Sequence, residues 1–197
     1  MSFVMIGTGK SASAGTVGII EMAVAETLAA DEQAIPFRET IGFANDHAGF
    51  NLRVPVLELL SRHCGRIIDV GTRSEEPVDF PDITQRAVRA ILEGEADRVI
   101  LLCGTGAGAC IAANKIRGIR AAVAHDTYVA RQAVVHDDVN VLCIGAWITG
   151  PEIALDIVRQ FLAARFSGEE HFRRRVAKLA LLEEALATSG SSDLSAG

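Results

Sequence analysis

No stretch of this chain reaches the roughly 18 consecutive apolar residues of a membrane-crossing helix, which excludes a helical membrane protein. Paired thiols are missing too. Cys64, Cys103, Cys110 and Cys143 show neither C-x-x-C spacing nor a compact pattern, and they read as free thiols of a reducing compartment, most of them buried. The five histidines lack ligand spacing, so no metal site is expected. Positive charge is in deficit: 19 Lys and Arg against 25 Asp and Glu leave a net charge of −6. That balance argues against a broad electrostatic hold on nucleic acid or an acidic membrane surface. The first residues lack a basic segment followed by an apolar core, so no secretory signal is expected and the chain reads as cytoplasmic.

What is present suits one globular domain. The chain has 197 residues, 49% of them hydrophobic and 22% charged, enough to bury a sizeable core. Residues 1–40 stand apart as an extension of unknown role. "GTGKSASAGTVG" is rich in small residues, and "IIEMAVAETLAADEQ" predicts a helix ending before Pro36. "GTGKS" is not a phosphate-binding P-loop, because that motif needs glycine five residues before Gly9 and Val4 stands there. From Ile41 short apolar runs alternate with helix-length segments. "TIGFAN", "GRIIDVG", "RVILLCG", "IRAAVAH" and "VNVLCIGA" predict strands, and their near-continuous hydrophobicity suits parallel strands covered on both faces. Helices are expected after each, with Asp82 capping "DITQRAVRAILEGEA" and others over 127–136 and 151–165. The expected fold is α/β: a doubly wound, Rossmann-like parallel sheet of about five strands spanning 41–188. A C-terminal helix over "GEEHFRRRVAKLALLEEALATS" and a disordered tail, 189–197, would come last.

Candidate chemistry gathers where strands end. "CGTGAGACIAANK" places Gly104, Gly106 and Gly108 in a G-x-G-x-G turn between a strand and a helix, one residue short of the dinucleotide G-x-G-x-x-G. Such a turn offers backbone donors to an anion, and Cys103 stands where thiolate is favoured. "NDHAG" comes after the first strand, "GTRS" after the second and "HDTY" after the fourth, and the next helix ends in "HDDVN". Taken together, Asp46, His47, Cys103, Thr105, His125 and His136 read as one rim suited to proton transfer beside an oxyanion.

These residues resemble a family. "NDHAGFNLR", "DVGT", "VDFPD", "CGTGAGACIAANKIRGIRAA", "DTYVAR" and "HDDVNVLCIG" are similar, in order, to the type B ribose-5-phosphate isomerases and the related galactose-6-phosphate isomerase subunits. The resemblance runs from about Ile41 to Val176. It implies aldose–ketose isomerisation through a cis-enediolate, on ribose 5-phosphate first, without metal or other cofactor. Cys103 would be the base, and Thr105 with Gly104, Gly106, Ala107 and Gly108 would hold the enediolate oxygen. Asp46 and His136 would help open the sugar ring, and His47 would line the pocket. The resemblance also implies a homodimer or homotetramer with shared sites, Asp137 and Asn140 reaching a neighbour's site. Two departures touch the phosphate. Trp147 and Glu170 occupy positions where the family carries arginine, leaving Arg173 and Arg174 as substitutes. The alternatives kept open are a different or unphosphorylated sugar, with Trp147 as a stacking face, and a non-catalytic sugar-phosphate-binding subunit.

Overall fold

The structure, a computed structural model, describes residues 37–189. The expected helix over 19–33 and the tail beyond Ser189 lie outside the described residues. Five parallel strands form one sheet: β1 (Phe37–Asn45), β2 (Cys64–Asp69), β3 (Arg98–Cys103), β4 (Ala121–Val123) and β5 (Val141–Gly145). Their order across the sheet is β2-β1-β3-β5-β4. Among the described residues six helices flank it: α1 (Arg53–His63), α2 (Phe80–Leu92), α3 (Ala107–Ala113), α4 (Thr127–Asp137), α5 (Pro151–Ala163) and α6 (Glu170–Ser189). A short 3-10 turn, His47–Leu52, leads into α1. The expected doubly wound α/β architecture is therefore what the chain adopts.

Alternation along each strand builds the two halves of the core. Phe43, Ile100, Leu102, Leu142 and Ile144 meet Val56 and Leu60 of α1, Val134 of α4 and Phe161 of α5 on one face. Ala44, Leu101, Cys103, Val141 and Cys143 meet Val88 of α2 and Ala109 and Ala113 of α3 on the other. The chain thus leaves β1 on one face and reaches β3 from the opposite face. That reversal opens a crevice beyond the carboxyl ends of β1 and β3, the usual ligand position in such sheets.

Several boundaries differ from those read off the sequence. Strand β1 begins at Phe37, so 37–40 belong to the sheet rather than to the extension. Helix α2 starts earlier than expected: its N-cap is Asp79, and Asp82 lies in the first turn. Pro81 explains this, since a proline is best placed where a helix leaves its first N–H groups unpaired. Strand β4 keeps three residues of an expected seven, since its register with β5 runs only from Ala121 to Val123.

A buried polar knot closes the carboxyl ends of β1 and β2. Arg53 on α1 donates from Nη1 to Asn45 Oδ1 at 2.7 Å and to Asp69 Oδ1 at 3.0 Å, and its Nη2 also meets Asp69. The Asn45 amide donates in turn to the carbonyls of Asp46, at 3.0 Å, and Thr72, at 3.2 Å. The Gly71 N–H donates to Asp69 at 3.1 Å. One guanidinium therefore holds together two strand ends and the loop beyond them. Removing one partner of such a pair strands the other as a buried charge. Arg53→Ala should therefore lower the free energy of unfolding by about 3–5 kcal/mol, read by denaturant titration.

Candidate functional site

The crevice is built from two backbone turns pressed together. Asp46 N–H donates to the Leu102 carbonyl at 3.1 Å, and Asp46 Oδ1 accepts from Gly49 N–H at 2.9 Å. Asp46 thus caps the 3-10 turn with one carboxylate oxygen. Gly49 makes the fit possible, because a β-carbon there would overlap the Leu102 carbonyl and stand 2.8 Å from Cys103 N. His47 comes next in the same turn, and its Nδ1 accepts from Val78 N–H at 3.2 Å. An accepting Nδ1 places the proton of the neutral ring on Nε2.

On the other side of the crevice the strand β3 ends at Cys103, a residue only 7% exposed. Gly104 and Thr105 continue the turn, and Gly106 closes it with φ +78°, a left-handed conformation that L side chains rarely adopt. Thr105 Oγ1 accepts from Ala107 N–H at 3.3 Å, and the threonine is exposed at the mouth. Phe80 lies over Gly108, its ring 3.1 Å from where a β-carbon would be. Trp147, just after β5, donates its backbone N–H to the Gly104 carbonyl at 3.0 Å. Its indole lies across Gly104, 2.8 Å from an added β-carbon, yet the residue is 73% exposed. The ring therefore covers the glycine turn with one face and shows solvent the other. His125 joins this rim from the end of β4, its Nε2 2.9 Å from a β-carbon placed on Gly145. Its place directly after a strand marks it in the sequence, although the family resemblance gives it no role.

His136 is not on this rim. All strands are parallel, so α4 must run back against them and end where β5 begins. The register pairs Val99 with Val141 and Cys103 with Gly145, four residues apart. Cys103 and the start of β5 are thus separated by roughly 13 Å along the strands, and His136 lies beyond that start. Asp137 sits beside it, exposed. Asn140 is committed to its own chain: its Oδ1 accepts from Arg120 N–H at 2.8 Å and its Nδ2 donates to the Gly118 carbonyl at 3.0 Å. Arg173 and Arg174 occupy the first turns of α6, which packs against the end of α4 through Phe172 and His136. Arg173 is paired with Glu170 at 3.2 Å, whereas Arg174 is exposed and makes no ion pair among the described residues. The single rim expected from the sequence is corrected by this geometry. Asp46, His47, Cys103, Thr105, the glycines, Ala107 and Trp147 form one group at the carboxyl ends of the strands. His136, Asp137, Asn140, Arg173 and Arg174 form a second at the amino ends.

Comparison with known proteins places this arrangement in context. Residues 41–179 match the family described as Ribose/Galactose Isomerase. The chain is 40% identical over 144 residues to ribose-5-phosphate isomerase B of Escherichia coli, covering 73% of this chain and 96% of that one. It is 34% identical over 148 residues to D-erythrulose-4-phosphate isomerase 2 of Mycolicibacterium smegmatis, covering 74% and 97% respectively. Among solved structures, ribose-5-phosphate isomerase B of Clostridium thermocellum superposes with a TM-score of 0.72 at 42% identity, covering 75% of this chain and 99% of that one.

All four cysteines are free, and their surroundings separate them. Cys143 is fully buried, and burial pushes its thiol up. Burial, with Glu39 nearby, also pushes Cys64 up, to about 11. Cys110 moves the other way, to about 7, chiefly through a hydrogen bond with Cys143, with a backbone group at Val123 and the Asn114 amide adding to it. Only thiolate reacts with an alkylating reagent. Iodoacetamide labelling, read by peptide mass spectrometry, should therefore reach half its maximal rate at Cys110 near pH 7 and at Cys64 only near pH 11.

Proposed function

This chain belongs to the ribose/galactose isomerase family, and from that premise we propose that it interconverts an aldose phosphate and its ketose, with ribose 5-phosphate and ribulose 5-phosphate as the first pair. The observation that carries this reading is the buried Cys103 at the head of a glycine turn, its peptide pressed against the Asp46–Gly49 turn at the switch-point crevice. In the proposed reaction the Cys103 thiolate takes the proton from C2 of the open-chain aldose. The electrons of that C–H bond form the C1–C2 double bond of the enediolate, and charge collects on O1. The N–H groups of the 104–108 turn and the Thr105 hydroxyl receive that oxygen. A proton passes from the O2 hydroxyl to O1, and the thiol returns its proton to C1 to leave the ketose carbonyl at C2. The change is a proton shift within the sugar and draws on no cofactor.

Ring opening must come first, and it asks for a second proton-handling group. His136 is assigned that task together with Asp46. Because His136 lies at the far end of the sheet from Cys103, the reading requires two copies of the chain, each lending its amino-end group to the other's carboxyl-end group. Arg174 on α6, with no ion pair among the described residues, then supplies the charge for the substrate phosphate, with Arg173 beside it. A second substrate is favoured by one observation. The indole of Trp147 narrows the space above Gly104, which suits a shorter, four-carbon sugar phosphate.

Complementation tests the shared site. Cys103→Ala and His136→Asn should each be inactive alone. Mixed after joint unfolding and refolding, they should recover about a quarter of wild-type turnover, since half of randomly assorted dimers carry one intact site of two. No recovery on mixing would mean that each chain builds its site alone.

A second measurement concerns specificity. Trp147→Arg should raise kcat/KM for ribose 5-phosphate by about tenfold, the equivalent of one charge-assisted bond to phosphate, and leave free ribose unchanged. Equal effects on both sugars would place Trp147 away from the phosphate.

A further inference from the structure

Phe172 carries no titratable group and stands in a run of basic residues, yet it is buried, with 8% of its surface exposed. Its ring stacks on the imidazole of His136, with centroids 4.2 Å apart and planes 12° from parallel. His171 leans on the same ring at 3.9 Å, and the Arg175 guanidinium lies 5.6 Å from its centroid. The backbone brings the two rings together. Ser167 N–H donates to the Val135 carbonyl at 3.0 Å, which ties the approach to α6 onto the last turn of α4. Phe172 N–H donates to the Glu169 carbonyl at 3.0 Å, which seats Phe172 within the first turn of α6.

We propose that Phe172 is the positioning residue for His136: it fixes the plane of the imidazole so that the ring nitrogens meet the sugar edge-on. The physical reason lies in the torsion of histidine at χ2, which is broad and allows the ring to swing. A flat aromatic surface against one face removes that freedom, as no aliphatic side chain of similar size does. Both nitrogens lie in the ring plane, so fixing the plane fixes the directions along which a proton is accepted or given. A general acid–base group that wanders from its line loses rate steeply, because displacement of about 1 Å costs on the order of a hundredfold. The inference rests on the reading of His136 as a ring-opening residue, and it gives the start of α6 a task distinct from gripping phosphate.

The test separates ring opening from enediolate chemistry on one substrate pair. Ribose 5-phosphate closes to a furanose and must be opened. Ribulose 5-phosphate has its O5 phosphorylated and stays an open chain, so exchange of its C1 proton with deuterium oxide needs only the Cys103 half of the site. In Phe172→Leu, kcat for ribose 5-phosphate should fall about tenfold with KM within about twofold, while C1 deuterium exchange, followed by NMR, stays within about twofold. Phe172→Tyr, which keeps the flat ring, should restore most of the loss. Phe172→Met serves as the second apolar variant where leucine disturbs folding. An equal fall in turnover and exchange would reduce Phe172 to a packing residue, and full turnover in the leucine variant would also overturn the proposal. His136→Asn is the control on the underlying reading. If it isomerises ribose 5-phosphate normally, that reading falls on its own account and the role of Phe172 falls with it.

Discussion

The crevice exists because two stretches of backbone touch without a side chain between them. Gly49 lies so close to the Leu102–Cys103 peptide that any β-carbon would collide with it, and Asp46 is bonded to the same carbonyl. This contact sets the distance between the turn after β1 and the turn after β3. The proposed reacting groups at the carboxyl ends hang from one turn or the other, Asp46 and His47 from the first, Cys103 and Thr105 from the second, while Trp147 and His125 reach the rim from the ends of β5 and β4. The Arg53–Asp69–Asn45 knot lies just behind and holds the first turn against retreat. Hydrophobic packing on the two sheet faces brings β1 and β3 together, but it is tolerant of small shifts. A backbone contact with no side chain to compress is not.

Much of this is legible in the sequence, for reasons that can be stated residue by residue. The strands announce themselves most clearly at β3 and β5, which are apolar on both sides as a covered parallel sheet requires, while β1 and β2 show it only in their second halves. The 103–108 turn is legible because it needs glycine where φ is positive, at Gly106, and a strand end before it. The two-group layout is not, and the reason is geometric. The residues directly after each strand mark the carboxyl ends correctly, but "HDDVN" comes after a helix. In a parallel sheet a helix returns the chain to the other end. Short-range signals place a residue on an element; only the direction of that element places it in space. The N-cap of α2 and the length of β4 escape the sequence for more local reasons, Pro81 in one case and a register with β5 that stops at Val123 in the other.

The arginines show how composition can mislead about supply. The chain is well provided with guanidinium groups, yet most of those near the functional groups are engaged. Arg120 is bonded to Asp138, Arg53 to Asp69, Arg98 to the Phe161 and Ala164 carbonyls, and Arg173 to Glu170. Arg98 and Arg120 brace the amino ends of the strands, where β5 enters the sheet and α5 comes to its end. An anion arriving at the amino-end group finds Arg174 without a carboxylate partner among the described residues. Charge near a site and charge available to a ligand are different quantities, and ion pairing within the chain decides between them.

Trp147 is the single tryptophan of the chain, and it rests on the glycine turn that heads the proposed reaction. Its indole is open to water on one face and pressed to the peptide backbone on the other. The emission of an indole tracks the polarity and mobility of its surroundings. The molecule therefore carries a built-in optical gauge at its most informative position, with no second tryptophan to blur the signal. Occupancy of the crevice, closure over it and loss of the turn's geometry can all be followed as light, in the unmodified protein and in real time.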